Sequence, residues 1–265
     1  MSDRGYIWFA FGKKYLEASE HLAASIKKFN KHNKICVITD SHWLQLPNAI
    51  KNVDHVELFE GVANGKFDRE WQIFNLTPFT HNIKLEADMV FTQSTDWWWN
   101  HLHQWDMVHS YYCRNYKDDI VGDTTYRKLF KQNNLPNVYS ALTYFRKSVF
   151  AEKFYNISKS IVKNWTAVRD TCLINCFDTE PTTDVVYALA NKILDPLQQK
   201  TIDYEWFKFV HNKNNVNGLG PFYKNNDFLQ TYKHGDAIYL GGYKQSRVLH
   251  YHEKDTMEKL NAGIL

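Results

Sequence analysis

Cysteine is scarce in this chain, with four residues among 265. The four positions, 36, 113, 172 and 176, are too few and too scattered for the disulfide framework of a small secreted domain. Cys172 and Cys176 stand one helical turn apart, which would suit half of a metal site, but no second pair completes it. We therefore predict buried, reduced thiols in a cytosolic protein.

The chain also lacks a long hydrophobic run and a strong excess of charge. No apolar run approaches the ~18 residues of a membrane span, and residues 1–4 lead into a strand-like run without a signal peptide. We therefore expect an intracellular, cytoplasmic protein without stable membrane association. The net charge of +3 is compatible with an anionic partner but does not indicate one, because nucleic-acid-binding proteins usually show a stronger, clustered excess of basic residues.

What the chain does have is a regular alternation of strand-like and helix-like segments. Residues 5–11 predict a buried strand, residues 15–29 an amphipathic helix and residues 34–40 a second strand, which is a βαβ order and implies a parallel sheet. Further strands are predicted at 53–59, 82–91 and 106–112, and further helices at 66–76, 147–164 and 184–194. No repeat or long linker divides the chain, so we expect one α/β domain over residues 1–265. Its central sheet is expected to be mixed and mostly parallel, with helices on both faces.

Two details of the second half complete this outline. Residues 203–245 are rich in Asn, Gly, Lys and aromatic residues, which is typical of loops around a site. The helix at 184–194 is predicted to bury a stripe made of Val185, Val186, Leu189 and Ile193.

Two carboxylates, Glu86 and Asp88, stand where an apolar run gives way to a polar loop. In a strand, residues i and i+2 point to the same side, so both side chains are expected to serve one ligand. Two hard oxygen ligands suit Mg²⁺ or Mn²⁺, which bind substrate phosphates alongside one or two carboxylates. The alternative is a solvated strand end, where acid-x-acid triplets are common.

The sequence around these acids resembles a known family. Leu85–Met89 reads Leu-Glu-Ala-Asp-Met and is similar to the Leu-Asp-Ala-Asp-Met phrase of retaining nucleotide-sugar glycosyltransferases with the GT-A (Rossmann-like) fold. That family contains glycogenin and the bacterial galactosyltransferases of lipooligosaccharide synthesis. Val248–Tyr251 resembles its C-terminal Val-Val-His-Phe. Ser140–Leu142 stands where the family has an Asn-Ala-Gly turn, and Thr182–Asp184 stands where it has Asp-Gln-Asp.

The resemblance implies a metal-dependent transfer from a nucleoside diphosphate sugar, with UDP as the expected nucleotide. It implies a nucleotide-binding half at about 1–105 and an acceptor-binding half at about 106–265. The implied ligands of Mn²⁺, or of Mg²⁺, are Asp88, His250 and Glu86, with His252 as a substitute if the strand register differs. The implied catalytic residues are Asp184 and Glu86. The implied donor-binding residues are Ala10, Tyr15, Lys66, Arg69, Ser140 and Lys254.

Each of these assignments has a structural alternative. Glu86 is expected to bind either the metal or the ribose. Tyr15 would stack on the nucleobase or belong to the core, and Lys66 and Arg69 would contact the donor or form a solvated helix face. Asp184 would bind the sugar or lie beneath the reacting carbon, and otherwise it is an N-cap.

The acceptor is the least determined part. Some phages glycosylate hydroxymethylated cytosines of their own DNA, and this Lys- and Asn-rich chain resembles phage proteins. Basic residues at 117–131 and 207–224, interleaved with aromatic residues, are predicted to hold a phosphate backbone and a flipped base. A protein or glycan acceptor is the alternative.

Two other classes of protein fit part of the pattern. A metal-dependent nucleotidyltransferase or phosphohydrolase would also use paired carboxylates, but it needs more acidic residues around two metals, and no second acidic cluster is present. An inactive α/β binding module would keep the fold without the metal, and the presence of both Asp88 and His250 argues against it.

Overall fold

The computed structural model describes residues 3–41, 51–59, 69–121, 127–197, 199–219, 229–252 and 256–257. The strands are β1 (Arg4–Ala10), β2 (Lys34–Thr39), β3 (His55–Leu58), β4 (His81–Lys84), β5 (Met89–Val90), β6 (Met107–Tyr111), β7 (Cys113–Arg114), β8 (Ile120–Val121), β9 (Val138–Arg146), β10 (Thr201–Ile202), β11 (Phe209–Asn212), β12 (Thr231–His234), β13 (Ala237–Leu240), β14 (Tyr243–Lys244) and β15 (Val248–Tyr251). The helices are α1 (Lys13–Phe29), α2 (Ile73–Leu76), α3 (Trp98–Leu102), α4 (Lys128–Gln132), α5 (Val149–Lys163), α6 (Trp165–Cys172) and α7 (Thr183–Leu194).

The central sheet has the strand order β10-β6-β9-β4-β1-β2-β3. Neighbouring strands are parallel except at β9, which is antiparallel to both β4 and β6. The prediction of a mixed, mostly parallel sheet in an α/β protein is therefore confirmed. Because β1, β2 and β4 run in the same direction, their carboxyl ends meet at one edge, which is where ligands bind in open α/β sheets.

Helices cover both faces of this sheet, as predicted. Tyr6 and Trp8 of β1 pack with Leu22 of α1 in one core, whereas Ile7 packs in a second core with residues of α5 and α7. Successive residues of a strand point to opposite faces, so a continuous apolar strand such as β1 serves both cores. Trp8 also donates a hydrogen bond from Nε1 to Oγ of Ser19 at 2.9 Å, which ties β1 to α1.

Two further sheets lie outside this one, in the order β5-β15-β11-β7-β8 and β12-β13-β14. Four of these strands, β11 to β14, fall within residues 203–245, so the prediction of loops there is wrong. The reason is that β11 pairs in parallel with both β15 and β7, and this pairing accommodates its polar residues in a buried strand.

Four other predictions need correction. The predicted strand at 82–91 is two strands, β4 and β5, in different sheets. The described part of the predicted helix at 66–76 forms a 3-10 turn over Glu70–Gln72 followed by the short α2. Ile193 of α7 is 61% exposed, because Ala190 and Asn191 make the buried contacts at that end of the helix. Cys172 is exposed, although Cys36 and Cys113 are buried as predicted.

The membrane prediction can be tested on the described helices. Among them, none combines the length and the apolar character that a bilayer crossing requires.

Candidate active site

A turn between two sheets carries the predicted acidic pair. The chain leaves the central sheet after Lys84 and enters the second sheet at Met89, so Glu86 and Asp88 lie in the connection between β4 and β5. The expectation that both acids extend from one strand is therefore wrong. The turn is closed by the backbone N–H of Met89, which donates to the carbonyl of Glu86 at 3.2 Å.

The second sheet brings His250 to this turn. Strand β15 pairs with β5 in antiparallel register, with His250 opposite Met89, and the N–H of Tyr251 donates to the carbonyl of Asp88 at 3.0 Å. His250 therefore meets the two acids although it follows them by more than 160 positions in the sequence.

The three side chains form a compact triad. Nε2 of His250 lies 3.1 Å from Oδ1 of Asp88 and 3.6 Å from Oε2 of Glu86. One ligand atom of each residue lies within 4.8 Å of those of the other two, and this is the only such group of acidic, His or Cys residues in the part of the chain that the structure describes. Asp88 and His250 are buried, and Glu86 is partly exposed.

This donor set fits a divalent cation. Ligands at about 2.1 Å from an octahedral Mg²⁺ are separated by about 3.0 Å when adjacent, and the separations of 3.1 and 3.6 Å at His250 approach that value. Two carboxylates with one imidazole suit Mn²⁺ somewhat better than Mg²⁺. Three protein ligands also leave coordination positions for water and phosphate oxygens.

A second histidine, His211, supports His250 and carries no motif that marks it in the sequence. His211 of β11 lies opposite His250 of β15 in the parallel register. The two imidazoles are stacked, with ring centroids 4.6 Å apart and an angle of 6° between the planes. Burial, reinforced by the neighbouring imidazole of His250, lowers the pKa of His211 well below 6.5, so this ring is neutral.

A buried lysine holds Glu86 from the other side. Lys84 is 1% exposed, and its Nζ lies 3.6 Å from Oε1 of Glu86 and 3.1 Å from Oε2 of Glu70. It also donates to the carbonyl of Ser140 at 3.1 Å. Burial disfavours the ammonium form, but the carboxylates of Glu70 and Glu86 outweigh it, so the pKa of Lys84 is raised and the side chain stays charged.

Asp184 joins this network through Ser140. Its Oδ1 accepts hydrogen bonds from the backbone N–H of Ser140 at 2.8 Å and from Oγ of Ser140 at 2.7 Å. Ser140 can reach it because residues 140–142 have no partner in the pairing of β6 with β9, where the register shifts. The N-cap of α7 is Thr182, so the N-cap alternative for Asp184 is wrong.

Arg127 fixes the other oxygen of Asp184. Its Nη1 donates to Oδ2 of Asp184 at 2.5 Å, and its guanidinium lies between the rings of Phe130 and Tyr139, at 3.7 and 3.9 Å from their centroids. Arg127 is 2% exposed. Arg127 belongs to the basic segment 117–131 that was predicted to hold a DNA phosphate backbone, but its guanidinium is neutralised by Asp184 inside the protein.

Of the four predicted donor-binding residues that the structure describes, three lie at or near the carboxyl edge of β1. Ala10 ends this strand, and its carbonyl accepts a hydrogen bond from Oγ1 of Thr39 at 2.5 Å. Tyr15, in the first turn of α1, is 44% exposed, so the core alternative for Tyr15 is wrong. Arg69 places its guanidinium 4.0 Å from the ring centroid of Phe11, a residue that the sequence analysis missed. Lys66 and Lys254 lie outside the described residues, and His252 is exposed and outside the triad.

Comparisons with known proteins add a distant structural likeness. No protein-family model matches the chain, and no curated protein matches it. Among solved structures, the chain resembles the apo structure of WbbM, a bifunctional glycosyltransferase, with a TM-score of 0.49 and 13% sequence identity. The match covers 84% of this chain and 42% of that one, so the chain spans less than half the length of WbbM.

Proposed function

We propose that the protein is a metal-dependent glycosyltransferase that moves a sugar from a nucleoside diphosphate sugar to an acceptor hydroxyl. The observation that supports this proposal is the triad of Glu86, Asp88 and His250 beside the carboxyl end of β4. A site at this edge of a parallel sheet has the position expected for a nucleotide ligand.

The triad supplies the residues that would hold Mn²⁺ or Mg²⁺. A bound divalent cation would neutralise the charge that develops on the diphosphate leaving group. Asp88 and His250 are buried and fixed by the pairing of β5 with β15, which makes them the rigid ligands. Glu86 is held by Lys84, and in the proposal it either completes the metal site or contacts the ribose.

The nucleoside would lie where β1 passes into α1. Tyr15 offers an exposed aromatic ring for the base, and Phe11 with Arg69 forms a cation–π pair at the same edge. The N-terminus of α1, which has no side-chain cap, adds the positive end of the helix dipole, which favours phosphate. We propose UDP as the nucleotide on the resemblance of Leu85–Met89 alone.

Asp184 is proposed to bind a hydroxyl of the transferred sugar. Three hydrogen bonds from Ser140 and Arg127 orient its carboxylate, and a carboxylate accepts about four. An oriented carboxylate with one remaining acceptor position suits the recognition of a hydroxyl group.

Hydroxymethylated cytosine in DNA remains a prediction for the acceptor, but several of the residues expected to bind DNA are buried. Lys208 is 1% exposed and pairs with Asp203 at 2.7 Å. Phe207 and Phe209 are fully buried, and Arg127 is bound to Asp184. Phe222, Tyr223 and Lys224 lie outside the described residues.

The alternative enzyme class lacks structural support. A two-metal nucleotidyltransferase needs a second acidic cluster, and the described residues contain the one triad. The neighbouring acids Glu70 and Asp184 are paired with Lys84 and Arg127. The inactive binding module would keep the fold without the metal, so it differs from the proposal both in its response to Mn²⁺ and in turnover, and the following experiment measures both.

The test is donor hydrolysis by the purified protein with a panel of nucleotide sugars, with and without Mn²⁺. We expect slow, Mn²⁺-dependent release of a nucleoside diphosphate from one donor, and its loss in Asp88→Asn. The matched control is Asp170→Asn, because Asp170 lies on the exposed surface of α6. Hydrolysis that persists in Asp88→Asn, or nucleotide binding without turnover and without any response to Mn²⁺, would refute the proposal.

A further inference from the structure

A cavity separate from the metal triad lies between α4, α7 and the carboxyl end of β6. Its volume is about 690 Å³, within the range of about 300–1,000 Å³ typical of small-molecule sites. Tyr112 and Asn134 line it on the side of the loops, and Asn191 and Asp195 line it at the end of α7. We call it the α4–α7 cavity.

An unsatisfied amide lies in its wall. Asn191 is 1% exposed, and neither its amide oxygen nor its amide nitrogen has a hydrogen-bond partner of normal geometry among the described residues. The buried imidazole of His109 lies beside it, but one ring nitrogen can satisfy only one of the two amide atoms. A buried amide without full hydrogen bonding destabilises the folded protein, so Asn191 is a candidate to bind a ligand or an ordered water.

The charged groups of the cavity are already engaged. Arg127 forms an ion pair with Asp184, and Asp203 forms one with Lys208. The carboxylate of Asp195 accepts hydrogen bonds from the backbone N–H groups of residues 199–201. Nζ of Lys192 donates to the carbonyl of Asn133 at 2.8 Å. Beyond these pairs and Lys131, the lining offers amide and phenol groups and the apolar side chains of Phe130, Leu135, Pro136 and Pro196. This mixture suits a neutral sugar better than a phosphate.

Tyr112 gives the cavity an aromatic rim. Its side chain is 38% exposed, and its backbone φ of 62° is unusual for a bulky residue. The N–H of Tyr112 donates to the carbonyl of Asn137 at 3.0 Å, which holds this conformation. An exposed ring above amide groups can cover the apolar C–H face of a sugar while the amides bind its hydroxyl groups.

The cavity is connected to the proposed sugar site. Arg127 lines the cavity and holds Asp184. Asn191 follows Asp184 by seven residues on α7, which corresponds to two turns and about 10 Å along the same face of the helix.

We propose that the α4–α7 cavity binds a neutral sugar residue of an oligosaccharide acceptor, at a distance from the hydroxyl that reacts. The inference rests on the proposed function and narrows its acceptor to a neutral glycan. Asn191 binds hydroxyl groups in the wall of the cavity, and Tyr112 covers the sugar at the rim.

The test measures binding without donor or metal, so that it is independent of turnover. Saturation-transfer NMR and calorimetry are applied to the full chain with neutral di- to tetrasaccharides, a phosphorylated sugar and single-stranded DNA that contains hydroxymethylcytosine. We expect a neutral oligosaccharide to bind best, and its affinity to fall at least tenfold in Asn191→Leu and in Tyr112→Ala. Tyr243→Ala is the matched control, because Tyr243, which is 47% exposed against 38% for Tyr112, lies on β14, outside the cavity lining.

The outcomes separate this inference from the proposed function. Preferential binding of DNA or of the phosphorylated sugar would overturn it, and so would neutral-glycan binding that both cavity variants leave unchanged. Absence of glycan binding would also overturn it, and greater thermal stability of Asn191→Leu would then show that the buried amide is simply unsatisfied. Each result is compared with donor hydrolysis by the wild-type protein, which tests the glycosyltransferase assignment alone.

Discussion

The imidazoles of His211 and His250 are parallel and 4.6 Å apart, on neighbouring parallel strands in exact register. The stack fixes the ring plane of His250, whose Nε2 faces Asp88. Because β11 has no direct part in the triad, His211 acts through His250 as a positioning residue.

We expect His211→Ala to weaken Mn²⁺ binding about tenfold, the lower end of the effect typical of groups that orient metal ligands. His211→Phe restores a flat ring in the stack and should recover most of the affinity. Calorimetric titration with Mn²⁺ measures both variants. Equal losses in Ala and Phe would show that His211 contributes through its nitrogens and not through stacking.

Lys84 is expected to be important for both stability and the site. Removing one partner of a buried ion pair leaves an uncompensated charge and typically costs about 3–5 kcal/mol, and Lys84 is 1% exposed between Glu70 and Glu86. Lys84→Met should therefore lower the free energy of unfolding by several kcal/mol in denaturant titrations.

The double variant Lys84→Met with Glu70→Gln provides the control for that loss. Because it removes the charge on both sides of the pair, it should be more stable than Lys84→Met alone. Both variants should bind Mn²⁺ more weakly than the wild type, because Glu86 has lost its contact with Lys84 in each of them. A double variant no more stable than Lys84→Met would contradict the pairing.

The sequence predicted best the helices and strands whose apolar residues form a continuous run or recur with a clear helical spacing. Strand β1, helix α1 and strand β2 have continuous apolar or 3–4-spaced patterns, and their observed bounds lie within two residues of the predicted ones. The break between β4 and β5 was missed because the apolar residues continue through Leu85 and Ala87 without a Gly or Pro to mark a turn.

The triad was predictable from motif resemblance, whereas the groups that support it were not. His211 lies in a strand where Lys208 and Asn212 are also buried, so the segment looks polar in the sequence. Lys84 and Arg127 look like surface cations, because only tertiary structure shows that Glu70 and Asp184 neutralise them. Pairing across distant strands carries no local signature in a single sequence.

The two acids of the triad should differ in their contribution to metal binding. Asp88 is 6% exposed, and its turn is tied to β15, whereas the Glu86 side chain is 36% exposed. We therefore expect Asp88→Asn to abolish measurable Mn²⁺ binding and Glu86→Gln to weaken it to a smaller extent.

Glu86→Asp tests whether the length of the side chain at position 86 matters. The shorter side chain cannot keep its contacts with both Lys84 and His250, so the Glu86→Asp variant should bind Mn²⁺ less tightly than the wild type. Calorimetric titration ranks the three variants, and a Glu86→Gln variant as impaired as Asp88→Asn would reverse the assignment.

The buried side chain of His109, in β6, should make the free energy of unfolding depend on pH. Burial, only partly opposed by a contact with Asn191, lowers its pKa to about 3. Between about pH 6.5 and pH 3 the unfolded chain binds a proton at this residue and the folded chain does not, so the free energy of unfolding falls as the pH drops. Through this residue the free energy of unfolding changes by about 1.4 kcal/mol per pH unit. Above pH 6.5 the ring is neutral in both states and contributes no such change.

Between pH 7 and pH 5 we expect the free energy of unfolding of the wild type to fall by about 2 kcal/mol more than that of His109→Gln. Urea titrations at the two pH values measure this difference, with His101→Gln on the exposed side of α3 as the control. Equal losses in the wild type and in His109→Gln would mean that His109 is protonated in the folded protein.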